Sequence, residues 1–446
     1  MAPAAFLFAL LPAAAGAAPW TLERVLQVAR ERDPLVRAAH ERGAAGRAEG
    51  AVALASLSPR ASLTAGAIRG DDPALLFSAR LRQGRFTAAD FAPPSLNQPP
   101  AATALEWGFT VEQPLWNGGA EVMAPGLAAH LGRAASAGER AGVANALLSA
   151  VSVFLDAVRA EAALRADSIA LAAADEGARA AASRFRLGQV PELDTLRASA
   201  HAAGARADWL ARRSDRDLAL TRLSRLVGER VDAGALETPA GDDEADADAP
   251  APGGADGAEG TAPGSRAARG RGEVEAARER AGAEGVAARR AGLSLLPSLN
   301  ARAGVNQYRD PEAGAWTRRW SAGLALDLPL WDGARRIEEW RAARARARAA
   351  AAEAEALERE LAVAAEAAAA ERAVACERRD AMRRARDAAE EAQRLALDRY
   401  RAGLLPLGEL LNAEAEAARA RQGQIAAEIG VTLARYHYLH ATGGLR

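Results

Sequence analysis

The chain has 446 residues, room for two or three ordinary domains, with 57 Lys and Arg against 58 Asp and Glu. A formal charge of −1 excludes a nucleic-acid binder built on a basic face. Half of the residues are hydrophobic, but only 4% are aromatic and many are alanine, so thin layers of closely spaced helices are feasible where a thick globular core is not.

In chain order, Phe6 to Ala15 is an apolar stretch and Ala15-Gly16-Ala17 a small-residue cleavage site. Residues 1–17 are therefore expected to be a signal peptide, although no Lys or Arg precedes the apolar run. No cysteine follows that site, so nothing points to a lipid-modified N-terminus; the single Cys376 sits in an Ala/Glu/Arg run that reads as helix. An uninterrupted apolar run of about 20 residues is missing, so no transmembrane helix is expected. An exported chain of this kind can enter a membrane only as a β-barrel.

An opening helix, Thr21 to Arg37, leads to a weakly alternating strand, Ala61 to Ile68. A long loop, Gly70 to Pro100, follows and carries Pro73, Pro93, Pro94, Pro99 and Pro100; it is expected to plug or shield one mouth of a barrel. Next, Leu105, Trp107, Phe109, Val111 and Leu115 alternate with Glu106, Gly108, Thr110 and Glu112, the pattern of a two-faced strand. From Glu121 to Arg186 the chain reads as helix, with Pro125-Gly126 and later glycines expected to bend or interrupt it.

Two motifs then recur. Gln113-Pro114-Leu115-Trp116-Asn117-Gly118 returns as Leu328-Pro329-Leu330-Trp331-Asp332-Gly333, and Arg184-Phe185-Arg186-Leu187-Gly188 returns as Arg399-Tyr400-Arg401-Ala402-Gly403. Both pairs share one offset of 215 residues, so the chain is a tandem repeat. The repeats span 18–236 and 273–446. Between them, 237–272 is rich in Ala, Gly, Pro and Asp and reads as a mobile linker. The second repeat brings a weak strand, Leu299 to Gln307, and a stronger one in which Trp320, Leu324, Leu326, Leu328 and Leu330 oppose Ser321, Gly323, Ala325 and Asp327. Ala334 to Ala402 holds neither Gly nor Pro and, at about 1.5 Å per residue, makes a helix of roughly 100 Å.

Each long helix has a stop at Gly188 or Gly403, and Pro191 or Pro406 suits the first turn of the return helix. Asp194 and Glu409 then stand in an opening turn, where the helix dipole by itself favours a carboxylate. The five histidines form no metal-spaced cluster; His437 and His440, three apart beside Tyr436 and Tyr438, read as a packing patch. No nucleophile motif or phosphate loop is present, so no catalytic residue, metal or cofactor is assigned.

On these residues the chain resembles the TolC-like outer-membrane efflux and export channels. The opening Thr21-Leu22-Glu23-Arg24-Val25-Leu26-Gln27-Val28-Ala29 with Asp33-Pro34, the duplicated Pro-Leu-Trp-(Asn/Asp)-Gly and the duplicated (Phe/Tyr)-Arg-x-Gly-x5-(Asp/Glu)-x-Leu carry the likeness. It implies a mainly α fold with a membrane β-barrel: a coiled-coil tunnel of long helices plus four β-strands per protomer, closed as a 12-stranded barrel by a homotrimer. Four strands cannot close a barrel alone, which fits sharing between chains.

The resemblance further implies a bacterial outer-membrane location extending into the periplasm. It implies a passive conduit role in a tripartite efflux pump or type I secretion system. The partners would be a periplasmic adaptor, an inner-membrane pump of RND or ABC type, and outer-membrane lipid. Carried over by position, the adaptor would meet Leu187, Gly188, Gln189, Ala402, Gly403 and Leu404. The periplasmic gate would hold Asp194 and Glu409, with Asn412 where relatives often keep a second acid; Arg399 and Arg401 are candidates to pair with Glu409 across a protomer boundary. Lipid would face Leu105, Trp107, Phe109, Val111, Trp320, Leu324, Leu326 and Leu328. The competing reading is a periplasmic coiled-coil adaptor or scaffold without a pore.

Overall fold

The computed structural model describes residues 19–239, 266, 268–312 and 315–445. The expected signal peptide and residues 240–265 of the expected linker lie outside the described residues. The chain divides into two compact units, one built from residues 1–43, 137–275 and 356–446, the other from 44–136 and 276–355.

The second unit contains an antiparallel sheet in the order β1-β2-β3-β4, made of β1 (Arg60–Gly70), β2 (Ala102–Asn117), β3 (Ser298–Arg309) and β4 (Thr317–Asp327). Directly paired residues share a face. One face therefore gathers Leu63, Phe109, Val305 and Trp320 in a row, and Ala61, Val111, Ala303 and Ala322 in the next. The opposite face carries Arg60, Glu112 and Arg302, then Ser62, Thr110, Gly304 and Ser321. Arg302 Nη2 bonds Glu112 Oε1 across this polar face at 3.3 Å.

At the helical end of the sheet the pairing departs from simple alternation. The register slips between Pro114 and Trp116, so Leu115 is the extra residue of a bulge and Trp116 takes its place opposite Leu299. Proline lacks the N–H that the ladder needs, so the strand bends there. In β4 the last pair is Ser298 with Asp327, flanked by Pro297 and Pro329. Leu328, expected in the strand, thus lies just beyond it, and Leu330 further out; a residue ahead of a proline is also restricted in backbone conformation.

The loop between β1 and β2 is folded. It contains α3 (Pro73–Arg82), a 3-10 turn (Ala88–Phe91) and α4 (Pro93–Asn97). Asp72 caps α3, and Phe77, Phe86 and Phe91 meet edge to face. The loop is tied to the polar face: Thr317 Oγ1 donates to the Gln83 carbonyl at 2.7 Å and Arg319 Nε to the Arg82 carbonyl at 3.2 Å.

Helices make up most of the rest: α1 (Leu22–Arg32), α2 (Pro34–Ala55), α5 (Ala124–Arg186), α6 (Glu192–Val227), α7 (Gly272–Leu293), α8 (Arg335–Arg401) and α9 (Leu407–Ala441). Against expectation α5 runs 63 residues without a break. Pro125 falls in its first turn, where a missing N–H costs nothing. The stretch Ala120–Arg186 is also long and apolar enough to cross a membrane by composition, which the sequence reading did not expect; half of its apolar window is buried in the protein.

That burial is the main core of the first unit. Thr21 Oγ1 caps α1, and Val25, Leu26 and Ala29 place the helix against Leu147, Val151, Phe154 and Val158 of α5 and Leu223 and Val227 of α6. Small residues allow the close approach that the composition implied. A Cβ on Gly142 would come within 2.8 Å of the Ala39 Cβ, so α2 and α5 touch at a site that only glycine fills.

The ends of the expected linker are held. Glu237 N–H bonds the Trp20 carbonyl at 3.1 Å, and Ala268 and Arg271 are buried, Arg271 being paired with Glu273 at 2.9 Å.

Candidate functional site

The two hairpin tips of the first unit are built alike. At the end of α5, Gly188 takes φ +69; its N–H bonds the Phe185 carbonyl, and Gln189 N–H bonds the Arg184 carbonyl, both at 2.9 Å. At the end of α8, Gly403 takes φ +80; its N–H bonds Tyr400 O at 3.0 Å, and Leu404 N–H bonds Arg399 O at 2.9 Å. This is a left-handed glycine cap with paired return bonds, repeated at the same offset. Pro191 and Pro406 sit one position earlier than expected. They are the caps before α6 and α9 rather than first-turn residues, because their backbones are extended (ψ 158° and 153°).

Leu187, Gly188, Gln189, Ala402, Gly403 and Leu404 all lie in these turns, and all six are exposed. Asp194 is half-buried in the first turn of α6, while Glu409 and Asn412 are exposed on α9. Among the described residues none of these three side chains makes a hydrogen bond or ion pair. Within the chain Arg401 pairs with Glu176 of α5 in the neighbouring hairpin.

The group that joins the hairpins escaped the sequence reading. Tyr400 is fully buried with Ala181, Ala198, Leu407 and Leu410. Arg184 lies over its ring at 4.8 Å and donates from Nη1 to the Tyr400 carbonyl at 2.9 Å. The Tyr400 hydroxyl has no hydrogen-bond partner among the described residues. Burial pushes its pKa up, Asp194 adds to the rise, and Arg184 opposes it. One helix turn further from the tip, His201 Nε2 stands 3.0 Å from Oε2 of the buried Glu414. Hydrogen bonding to that carboxylate raises the His201 pKa, and partial desolvation works against the rise.

His440 is engaged as well: its Nε2 is 2.6 Å from Asn145 Oδ1, and burial holds its pKa down. Among the described residues no group of three His, Cys, Asp or Glu side chains is placed to hold a metal.

Comparison with known proteins agrees with this geometry. Residues 266–443 match the family model described as outer membrane efflux protein. The whole fold is similar to the outer membrane protein VceC of Vibrio cholerae, at 19% identity and TM-score 0.74 over 95% of this chain and 96% of that one. It is similar also to the CmeC outer membrane channel of Campylobacter jejuni, at 15% identity and TM-score 0.75 over 95% and 86%. The open-state MtrE outer membrane channel of Neisseria gonorrhoeae follows, at 18% identity and TM-score 0.63 over 95% and 89%. Among curated proteins, none matches the sequence. A mostly helical chain with one four-stranded, two-faced sheet thus has the fold of these outer-membrane channel structures. Residues 266–443 match the outer membrane efflux protein model, and the chain as a whole has the fold of these outer-membrane channels.

Proposed function

We propose that this chain is the exit duct of a tripartite efflux pump or type I secretion system, working as a homotrimer with a periplasmic adaptor and an inner-membrane pump. It does no chemistry and consumes no energy; substrate delivered by the pump passes through it. The observation that carries the reading is the strand register. Through the middle of the sheet it puts Leu63, Phe109, Val111, Val305 and Trp320 on one face and Arg60, Thr110, Glu112, Arg302 and Ser321 on the other, and it leaves β1 and β4 as open edges. Two further copies would pair those edges, since cyclic closure removes unpaired backbone that lipid cannot satisfy.

The dimensions support the same reading. Leu105 to Trp116 is about 35 Å of strand, which at a tilt of ~40° spans roughly 27 Å, close to the apolar band of outer-membrane barrels. Leu105, Trp107, Phe109, Val111, Trp320, Leu324 and Leu326 would face lipid, with Leu328 at the band's edge. The exposed turn residues 187–189 and 402–404 are the adaptor's footprint in this reading, and Asp194 and Glu409 are the acids of the closed gate, with Asn412 beside them. The two structural repeats, 18–236 and 273–446, are joined through 237–272, and each contributes two strands to the one sheet.

Conductance in planar bilayers tests the proposal. The mature protein should migrate as a heat-modifiable oligomer and give discrete channels. Replacing Asp194→Ala together with Glu409→Ala should raise the open probability; an unchanged gating pattern would remove the gate assignment. A detergent-independent monomer without channels would favour the pore-less adaptor.

A further inference from the structure

The apolar face of the sheet is not apolar to its end. Pairing places Arg69 of β1, Arg309 of β3 and Arg318 of β4 on that face, in phase with Leu63, Val305 and Trp320. Each stands within one residue of its strand's end on the side away from the long helices: Arg69 before Gly70, Arg309 last in β3, Arg318 after Thr317. Across the ladder they step down by four residues over three strands, and the strand ends step down in the same direction. At about 3.4 Å per residue and 4.8 Å per strand, that slope is roughly 43°. Barrel strands tilt by about 35–45°, so the three guanidiniums would come to one height. Trp107 and Trp320 lie just below them on the same face.

None of the three has an anionic partner among the described residues. Arg69 Nη1 donates to the neutral Thr103 Oγ1 at 3.3 Å. Arg309 rests over the Trp316 ring at 6.0 Å, and its Nε is buried without a hydrogen bond. Arg318 makes no hydrogen bond or ion pair among the described residues. Asp310, next to Arg309 in the chain, is paired with Arg85. A guanidinium facing hydrocarbon is costly, whereas at headgroup depth it can meet phosphate in a bidentate bond.

We propose that Arg69, Arg309 and Arg318 form a binding row for the phosphate groups of anionic lipid headgroups in the outer leaflet. The girdle of Trp107 and Trp320 would mark the headgroup boundary beneath it. The proposal rests on the channel reading, by which the apolar face meets lipid and the strand ends away from the long helices lie in the outer leaflet.

Lipid binding to the purified full-length oligomer, counted by native mass spectrometry, tests it. The probes are a bisphosphorylated glycolipid, its monophosphorylated form and phosphatidylcholine. Wild type should prefer them in that order. Replacing Arg69→Gln, Arg309→Gln and Arg318→Gln together should weaken binding of the bisphosphorylated lipid roughly a hundredfold, at about fivefold per guanidinium, and leave phosphatidylcholine unchanged. Arg60→Gln, on the polar face, should change nothing. If the triple variant does not assemble, Arg318→Gln alone should lose about fivefold. Equal binding by variant and wild type, equal loss in Arg60→Gln, or displacement of the lipid by excess inorganic phosphate would overturn the proposal. Such a result from a protein that still forms channels sinks this inference alone; absence of channels removes the reading beneath it.

Discussion

Phe185 and Tyr400 occupy the same place in two copies of one motif, yet they live in different surroundings. Both precede a left-handed glycine by three residues at matching helix ends. Tyr400 is wholly buried under Arg184, whereas Phe185 remains 43% exposed. Arg399, the counterpart of Arg184, makes no hydrogen bond or ion pair through its side chain among the described residues. The lesson is directional. Within one chain the first hairpin covers the second, and the complementary surface stays open. In the proposed trimer a second copy would supply Arg399 to Phe185, as Arg184 is supplied to Tyr400 inside the chain.

The largest expected effect separates these two aromatics. Tyr400→Ala should cost about 3–4 kcal/mol in thermal unfolding followed by helical signal, because it empties a packed site. Phe185→Ala should cost under about 1 kcal/mol in the dissociated chain, since much of the ring is already wet. Equal costs there would break the comparison. A cost for Phe185→Ala that approaches that of Tyr400→Ala only in the assembled protein would sharpen it.

A smaller effect tests the His201–Glu414 contact, which the second repeat lacks: the counterparts are Glu416 and Ser199. The pKa of His201 is raised in the folded state. Its stabilisation is therefore complete below the unfolded value of about 6.5 and is lost as pH rises through the folded one. The unfolding midpoint of wild type should fall by a few degrees between about pH 5.5 and 8.5, and that fall should shrink in His201→Gln. A pH response that is identical in the variant would remove the contact from the account. Smallest of all is Arg401→Ala. Its pair with Glu176 is half-exposed, so about 0.5 kcal/mol is expected, vanishing at high salt. The counterpart of Glu176, Glu391, is held by Arg394 within its own helix, so no matching loss is expected there.

Much of this architecture was readable in one dimension. The 215-residue offset, the glycine stops and the alternation in β2 and β4 follow from local backbone rules, which need no tertiary partner to act. Where the reading failed, a neighbour decided. Pro125 was expected to disturb α5, but position within the first turn made it harmless. Leu328 was expected to continue its strand but lies beyond the end of β4, and Leu115, though within β2, is displaced by a bulge next to Pro114. Within the chain Arg401 pairs with Glu176 on another helix, a contact the sequence does not announce.

The sequence alone determined that the chain is duplicated, where its long helices stop, and which strand positions alternate between apolar and polar, because each of these is set by residues close together along the backbone. It could not determine that four alternating faces coincide in one sheet, that Tyr400 is buried while Phe185 is not, or that three arginines line one edge of the apolar face. Those depend on register and packing between segments up to some two hundred residues apart, and only the tertiary structure brings such segments together.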